Sequence, residues 1–431
     1  MTYVEFFDKA SIENMCACLT KAPTRVIFIG DKTKLMKKAA ARYAQVMEDR
    51  GYDVEFIVKG TKRNDLAGIV KVLCEIVETY DNCHFDLTGG DDLYLVAAGI
   101  VRERYAHKNI QMHWFNLRNN TIADCDQDGV TIMSEPPHLL VEEQIRIYGG
   151  DILYDNESPL GTFRWDMNPE FCQDIRTMWK ICSADPGKWN AMMNVLAAAH
   201  AVAEDMAYEE DYEDDSYEEE DPLILHVYRD DVSDRVARQK VNNKFFWSAE
   251  ISTKLMKSGL LETCTCDRDI IRVVYKNEQI KKLMGSAGRV LEMLIYSIAL
   301  SMTGTGKDDV YYDAMTGVYI DWDGELQGES SGVDTVNEVD LVLMRNMIPV
   351  FISCKNGKVE TDELYKLASV ADRFGGPYAR KVLLVSNMEM ESAAAKHLSQ
   401  RAEDMGIRLV TNLAEMEEET LVRTVKNLWA I

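Results

Sequence analysis

Two short stretches, NEVDLVLM at residues 337–344 and IPVFISCK at residues 348–355, decide the fold of the C-terminal part of this chain. Each stretch is rich in apolar residues with a strong preference for strands. The residues Arg345, Asn346 and Met347 separate them and form a short turn. The pattern therefore predicts a β-hairpin with charged residues near one end.

The charged residues of this hairpin are Glu338, Asp340 and Lys355. Side chains alternate between the faces of a strand, so we expect Glu338 and Asp340 to share one face of the first strand. Ser353 and Lys355 are expected to share another face, on the second strand. Carboxylates that hold a divalent metal and a lysine that steadies an attacking water are what phosphodiester hydrolysis needs. By spacing alone, a surface hairpin with solvated charges is an equally good interpretation.

Composition is that of a globular protein with more than one domain. The chain has 431 residues, of which 46% are hydrophobic and 28% charged, so two or three domains are expected. It has no run of about twenty apolar residues and no basic N-terminal segment, so we expect a cytoplasmic protein with no membrane span. Its ten cysteines lack zinc-site spacing and are expected to be reduced thiols.

The net charge of −24 is concentrated in one segment. Residues 204–221 contain twelve acidic residues and no basic residue, so this insertion is predicted to be solvated and disordered. The rest of the chain is still acidic. Any nucleic acid would therefore have to bind a local basic patch, and Arg345, Lys358, Lys366, Arg373, Arg380 and Lys381 surround the hairpin in sequence.

Strands alternate with helices over the first 120 residues. Strands are predicted at 25–29, 53–58, 83–87 and 110–115, with helices between them, which indicates a parallel, doubly wound sheet. Ligands of such sheets bind at the carboxyl ends of the strands. The residues at those ends are Gly30, Asp31, Lys32, Thr33, Thr88, Gly89, Gly90, Asp91 and Asn116.

The Thr88-Gly89-Gly90 turn is the part of this edge best suited to a phosphate. Glycine lets a ligand approach the backbone closely, and the free N–H groups at the start of the next helix attract anions. The chain has neither a dinucleotide-binding fingerprint nor a Walker loop. A tight turn without a ligand, with Asp91 as a helix cap, is an equally good interpretation.

The sequence divides into three predicted regions, 1–150, 151–275 and 276–431, with the first boundary at Gly149-Gly150. The middle region is expected to hold the acidic insertion, a helix at 243–257 and a hairpin at 260–275. This could be a module resembling a winged helix or a packing bridge between domains. The last region is expected to begin with a helix at 287–300 that contains Glu292, followed by strands at 310–312 and 318–322 and the hairpin.

These residues resemble two known families. A glutamate on a first helix (Glu292), an aspartate on one strand (Asp340) and Ser353-Cys354-Lys355 at the end of the next resemble the PD-(D/E)XK nucleases. The alternating N-terminal segment is similar to CARF domains, the Rossmann-like sensors of cyclic oligoadenylates in type III CRISPR defence. The similarity covers roughly residues 20–150 and 280–390. It implies an α/β chain with a CARF domain and a restriction-endonuclease-like domain.

The resemblance implies a role for each residue of the nuclease motif. Asp340 would be the principal ligand of Mn²⁺ or Mg²⁺, with Glu338, Glu292 and the backbone carbonyl of Cys354 as further candidates. Lys355 would orient the attacking water and offset charge on the phosphate. The sequence departs from the family at Ser353, which stands where the motif has an acid.

The expected function is that of a homodimeric nuclease of antiviral defence that cleaves single-stranded DNA, RNA or both. By resemblance, cyclic tetra-adenylate would be its allosteric activator, bound at the residues of the sheet edge given above. Two alternatives remain open. One is a restriction or repair endonuclease that needs no activator. The other is a CARF-type sensor that binds nucleic acid through residues 243–275 and has an inactive nuclease domain.

Overall fold

The computed structural model of the chain describes residues 1–8, 11–116, 121–125, 130–133, 138–156, 161–210, 221–240, 243–306, 308–324 and 336–430. Most of the predicted acidic insertion at 204–221 lies outside the described residues. So does most of the polar loop that precedes the hairpin.

The N-terminal part contains a seven-stranded sheet in the order β3-β2-β1-β4-β5-β6-β7. Its first five strands are parallel, and β6 and β7 are antiparallel additions at one edge. The doubly wound sheet predicted from the sequence is therefore confirmed. Its elements are β1 (Thr2–Phe6), α1 (Cys16–Lys21), β2 (Arg25–Gly30), α2 (Thr33–Asp49), β3 (Glu55–Gly60), α3 (Leu66–Thr79), β4 (Cys83–Asp86), α4 (Asp92–Arg104), β5 (Gln111–Asn116), β6 (Thr121–Cys125), β7 (Val130–Met133) and α5 (Val141–Ile147).

The central strand, β1, was not predicted. It lies between β2 and β4, and all five of its residues are buried. The presence of Glu5 in this strand hid it, because a carboxylate is rarely fully buried. Burial and the neighbouring carboxyl of Asp86 raise the pKa of Glu5 well above its usual value, and the two side chains are hydrogen-bonded. A proton held between two acids thus lets a charged residue type occupy the middle of the sheet.

The middle of the chain forms a helical layer and a small antiparallel sheet in the order β10-β11-β9. The predicted hairpin at 260–275 is present, and β9 adds a third strand. The predicted helix at 243–257 begins only at Ala249, where the Ser248 side chain accepts a hydrogen bond from the Ile251 N–H. The elements are β8 (Asp151–Leu153), α6 (Pro169–Ala184), α7 (Pro186–Glu210), β9 (Ile224–Tyr228), α8 (Arg229–Ala237), α9 (Ala249–Lys257), β10 (Leu261–Cys266) and β11 (Ile270–Tyr275).

The C-terminal part is built on a six-stranded mixed sheet in the order β16-β15-β14-β13-β12-β8. The separate strand predicted at 310–312 is wrong, because these residues precede the single long strand β12. The elements are α10 (Glu278–Met284), α11 (Arg289–Leu300), β12 (Asp313–Asp321), β13 (Val336–Arg345), β14 (Ile348–Lys355), α12 (Thr361–Phe374), β15 (Arg380–Val385), α13 (Ala393–Asp404), β16 (Ile407–Val410) and α14 (Glu418–Lys426).

Strand β8 follows Gly150 directly and pairs with β12, so the chain enters the second sheet immediately after the first predicted boundary. The three-region division stays a prediction. Within the described residues, no helix is both long and apolar enough to cross a membrane.

One hydrophobic core is shared by the two large sheets. It includes residues of α2 and α5 on the N-terminal side and of β13, β14 and α12 on the C-terminal side. Two hydrogen bonds accompany it: the Gln144 side chain donates to the Phe374 carbonyl at 2.9 Å, and Arg373 donates to the Tyr148 carbonyl at 3.0 Å. The end of α12 is therefore fixed against α5, the last helix of the N-terminal part.

Candidate active site and candidate ligand edge

The predicted hairpin consists of β13 and β14, which pair antiparallel from Arg345–Ile348 to Leu341–Ile352. Asn346 in the connecting turn has φ 57°, a left-handed conformation that asparagine tolerates. Beyond the Leu341–Ile352 pair the backbone ladder ends. There, Oδ2 of Asp340 accepts the Cys354 N–H at 2.6 Å, replacing a backbone partner. The carboxylate of Asp340 is thus fixed by the strand that carries the lysine.

Ser353 supports Asp340 and brings no charge. It is buried, and its hydroxyl donates to Oδ2 of Asp340 at 3.1 Å. The Cys354 side chain lies in the hydrophobic core on the opposite face, and burial raises the pKa of its thiol well above the usual value. A thiol held neutral in a core is not a nucleophile, which agrees with its predicted core position.

Lys355 lies between two carboxylates. Its Nζ is 3.8 Å from Oδ2 of Asp340 and 3.0 Å from Oε2 of Glu363. Burial alone would lower the pKa of Lys355, but Asp340 and Glu363 outweigh it and the pKa is raised. The lysine is therefore charged at neutral pH, as stabilisation of a phosphate requires.

Glu363 is a residue of the site that the sequence did not reveal. It lies in the first turn of α12, only eight residues after Lys355. Burial would raise its pKa, but Lys355 and Lys366 together lower it, so the side chain is ionised. The available signal was the start of a helix directly after the strand that ends in Lys355, since helix starts next to strand ends bring their first turn to the same edge.

Glu292 projects from α11 toward the other acids. Burial, Asp340 and Glu338 raise its pKa to about 8, while Arg289 and Lys355 oppose this rise. Glu292 therefore interacts electrostatically with Asp340 and Glu338, and its role as a catalytic residue or metal ligand stays a prediction.

Strict alternation does not hold along β13. Val339 packs in the same core as Val342 and Met344, whereas alternation would place it with Leu341 and Leu343. The change occurs at Asp340, and the residue opposite Asp340 on β12 is Gly317, with φ 56°. The prediction that Glu338 and Asp340 share one face was based on strict alternation, so the structure does not support that reasoning.

Glu338 lies across from Tyr319 on β12. Burial and Glu338 raise the pKa of that tyrosine to about 12. Glu338 is exposed, whereas Asp340 is half-buried, so the two acids occupy different environments.

Two cavities meet at Glu338. The first, of about 310 Å³, is bordered by Glu338, Asp340, Ser353, Lys355 and Glu363. The second cavity, of about 160 Å³, is bordered by Glu338, Glu292, Arg289, Lys282 and aromatic side chains. The structure thus gathers all five predicted catalytic residues around two adjoining spaces.

The residues present fit a hard divalent cation. Oδ2 of Asp340 makes each contact described above, which leaves its Oδ1 for a ligand role. Among the described residues, no three His, Cys, Asp or Glu side chains come close enough to hold a metal by themselves. Mg²⁺ is usually held by one or two carboxylates, with waters and phosphate oxygens completing the shell. Asp340 with Glu338 or Glu292, and the Cys354 carbonyl, is a donor set of that kind.

The basic patch predicted around the hairpin is largely absent, because four of its six members have structural roles. Arg345 lies over the Trp429 ring, Arg373 donates to the Tyr148 carbonyl, Arg380 donates to the Trp429 carbonyl and Lys381 pairs with Asp372. Of the six, only Lys366 borders the first cavity. Five of the six basic residues that are near the hairpin in sequence therefore do not border the first cavity.

The predicted ligand residues of the N-terminal sheet lie at one edge. The turn after β2 and the turn after β4 lie at the carboxyl ends of parallel strands, and Asn116 ends β5 at the same edge. Arg63, in the loop after β3, reaches Asp91 at 2.5 Å, and the Thr61 and Tyr94 hydroxyls are 2.9 Å apart. These contacts bring the loops after β3 and β4 together over the ends of β2 and β1.

The Thr88-Gly89-Gly90 turn packs against the end of β1. The Thr88 hydroxyl donates to Asp86 and accepts the Phe115 N–H at 2.9 Å. A side chain at Gly90, which has φ 92°, would collide with Phe6. The glycines are thus explained by close packing as well as by a ligand. The exposed Lys62 and Arg63 are basic residues of this edge that the sequence reasoning missed.

No family model matches the sequence, and no curated protein matches it. Solved structures do. Protein VC1899 from Vibrio cholerae matches with a TM-score of 0.67 and 17% identity, over 99% of this chain and 96% of that one. Can2 from Sulfobacillus thermosulfidooxidans, in complex with cyclic tetra-adenylate, matches with a TM-score of 0.63 and 16% identity, over 99% and 97%.

A type III CRISPR defence DNA nuclease activated by cyclic oligoadenylate overlaps with a TM-score of only 0.42 and 12% identity, over 94% of this chain and 51% of that one, too loosely to support a comparison. The two full-length matches show a common fold from end to end. The chain therefore has the two-sheet α/β fold that the resemblance implied, with a doubly wound, Rossmann-like N-terminal sheet joined to a mixed C-terminal sheet.

Proposed function

We propose that this protein is a metal-dependent nuclease of type III CRISPR defence that cyclic tetra-adenylate activates. The observation that carries the proposal is the geometry of Asp340 and Lys355, two charged side chains held together at the end of a hairpin beside Glu338 and Glu292. The same fold holds cyclic tetra-adenylate in Can2. The proposed substrate is single-stranded DNA, RNA or both, and the proposed location is the cytoplasm.

The chain's own residues have separable tasks in this reaction. Asp340, with Glu338 or Glu292 and the Cys354 carbonyl, would hold Mg²⁺ or Mn²⁺, which supplies Lewis acidity to the phosphate. Ser353 and the Cys354 N–H keep the Asp340 carboxylate oriented. Lys355 stays protonated and stabilises negative charge that builds on the phosphate, while Glu363 holds the lysine in place.

The proposed activator site is the sheet edge formed by Gly30–Thr33, Thr88–Asp91 and Asn116. The exposed Lys62 and Arg63 add positive charge beside these turns, which suits a ring of phosphates. Asp91 is paired with Arg63, so its negative charge is partly offset before any ligand binds. A phosphate that pairs with Arg63 in place of Asp91 would replace one ion pair with another.

A homodimer is the proposed assembly, because a ring with two-fold symmetry suits two copies of one edge. The exposed face of α4 supports this. Val96 is 49% exposed and Ile100 is 36% exposed, and the intervening Gly99 has open space around its backbone. A helix stripe of apolar residues and glycine permits close packing of a second helix.

The test is a cleavage assay with purified protein on single-stranded DNA and RNA. A panel of cyclic oligoadenylates is added, with and without Mn²⁺. We expect cleavage only when metal and cyclic tetra-adenylate are both present. Cleavage that ignores the activator would instead identify a ligand-independent restriction or repair enzyme. Metal-independent binding of nucleic acid without cleavage would identify a sensor with an inactive nuclease domain.

A further inference from the structure

Three adjoining cavities extend from the candidate active site to the helical middle region. The first and second cavities share Glu338. A third cavity, of about 370 Å³, is bordered by His200 of α7 and by Lys281, and it shares Lys282 and Arg289 with the second. The three spaces therefore lie in a row, and the third is bordered by the bases Lys281, Lys282 and Arg289 together with Glu204 and Glu278.

Two basic residues, Arg289 and Lys282, border both the second and the third cavity. Arg289 is the first residue of α11, and its Nη1 donates to the Lys282 carbonyl at 2.7 Å. Lys282 pairs with Asp155 at 3.2 Å, and both side chains are about 40% exposed. An exposed pair of this kind contributes only about 0–1 kcal/mol, so a phosphate can readily replace Asp155 as the partner of the lysine.

The second cavity also has an aromatic wall. Lys282 lies 3.4 Å above the Phe163 ring, and Phe163 meets Trp165 edge-on at 4.8 Å between ring centroids. Trp165 is in turn stacked on Phe171 at 5.6 Å. The rings are held by one another, yet Phe163 and Trp165 are only partly buried. Rigid, part-exposed rings beside cations are the combination that binds single-stranded nucleic acid.

We propose that the second cavity binds one unpaired base of the substrate strand, against Phe163 and Trp165, while Arg289 and Lys282 contact the adjacent phosphates. The inference rests on the proposed nuclease function and specifies the substrate as a single strand. In a duplex the bases are stacked and paired inside the helix, so none is free to enter a pocket beside Glu338 and Glu292. The two cations also supply local positive charge for phosphates, which an acidic chain requires.

The test measures binding apart from cleavage. Full-length protein in EDTA, with and without cyclic tetra-adenylate, is titrated into fluorescein-labelled oligo-dT, oligo-U and a duplex of equal length, and anisotropy is recorded. We expect the parent to bind single strands about tenfold more tightly than the duplex. Phe163→Ala weakens single-strand binding about tenfold, because stacking on one ring is lost, and Phe163→Tyr retains it.

Salt dependence separates phosphate contacts from a merely structural role. Arg289→Gln and Lys282→Gln are each expected to reduce the slope of log affinity against log salt by about 0.7. The matched control is Lys257→Gln, an exposed lysine on α9 that borders none of the three cavities, and it leaves the slope unchanged.

Failure of the inference and failure of the proposed function give different results. If the parent cleaves nucleic acid but Phe163→Ala and Arg289→Gln bind like the parent, the proposed base-binding site is wrong and the proposed nuclease function is retained. If an active parent binds the duplex as tightly as single strands or more tightly, the proposal that the second cavity binds an unpaired base is wrong. If the parent neither binds nor cleaves any of the three oligonucleotides, the proposed function is wrong and the inference falls with it.

Discussion

The edge of the N-terminal sheet and the end of the β13–β14 hairpin both gather polar residues, but they use them differently. At the N-terminal edge the acids satisfy one another or nearby groups: Asp86 contacts Glu5 and Thr88, and Asp91 pairs with Arg63. At the end of the hairpin, four acids (Glu338, Asp340, Glu363 and Glu292) border open cavities near Lys355, and the pKa of Glu292 is raised to about 8 by burial and by its acidic neighbours.

This difference indicates how complete each site is within one chain. Acids crowded around a cavity are held at an electrostatic cost that a bound cation would remove, which is typical of an active site. At the N-terminal edge the corresponding cost is met within the chain, because Glu5 and Asp86 are hydrogen-bonded to each other and Asp91 is paired with Arg63. The hairpin therefore has the electrostatics expected of the proposed active site, whereas the acids of the N-terminal edge already have partners within the chain.

The largest effect should come from the hairpin lysine. Lys355→Ala removes the charge that stabilises the phosphate, so we expect cleavage to fall by about a thousandfold. Binding of cyclic tetra-adenylate should be unchanged, because the proposed activator site is on the other sheet. Gel-based cleavage rates and calorimetry measure the two properties. The control is Lys396→Ala on α13, whose lysine is exposed and pairs with Glu391. A parent-like rate for Lys355→Ala would refute the site.

The next effect separates the two candidate second carboxylates. EDTA should abolish cleavage, and titration with Mn²⁺ should restore it. Of Glu338→Gln and Glu292→Gln, the variant that loses a metal ligand should need about tenfold more Mn²⁺ for half-maximal rate. Activator binding is the control, since neither residue lies near the N-terminal edge. If both variants have the parent's Mn²⁺ requirement, Asp340 is the only carboxylate ligand among the three.

A smaller effect is expected at the N-terminal edge. Arg63→Ala removes a positive charge from the proposed activator site and leaves Asp91 unpaired beside the phosphates, so affinity for cyclic tetra-adenylate should drop about tenfold. Isothermal titration calorimetry measures the affinity. At saturating activator the cleavage rate should match the parent. Lys71→Ala on α3, an exposed lysine of the same domain, is the control. Unchanged affinity in Arg63→Ala would move the ligand away from this edge.

The smallest effect is on how folding stability depends on pH, and it comes from His84 in the N-terminal sheet. Burial and the neighbouring His113 lower the pKa of His84 from 6.5 to about 4. Between these values the unfolded chain binds the proton and the folded chain does not, so stability falls as pH is lowered from 6.5 to 4. His84→Gln should lose less stability over this range in urea unfolding monitored by circular dichroism. An equal loss in both proteins would show that His84 does not contribute.

How much the sequence revealed depended on how local each feature was. Asp340, Ser353 and Lys355 were predictable because one hairpin carries all three. The edge turns Gly30–Thr33 and Thr88–Asp91 were predictable because parallel strands end together. Arg289 and Lys282 were missed because only the packing of α10 and α11 against the sheet brings them to the site, whereas Glu363 was missed although a helix begins soon after the strand that ends in Lys355.

Two expectations failed for physical reasons that the sequence hides. The central strand β1 was overlooked because Glu5 is buried as one half of a carboxyl pair, an arrangement that requires Asp86 from a distant strand. The arginines near the hairpin were predicted to form a substrate patch, but Arg345 and Arg380 instead contact Trp429, which follows α14. A long basic side chain serves packing as readily as binding.

Helix α12 carries a mechanical consequence. Its first turn holds Lys355 through Glu363, and its last residue, Phe374, receives the hydrogen bond from Gln144 of α5. A helix of 14 residues is about 21 Å long and is stiff along its axis. A displacement of α5 along that axis would therefore reach the carboxylate beside the lysine nearly undiminished. One rigid helix thus connects the contact with α5 to the carboxylate beside Lys355.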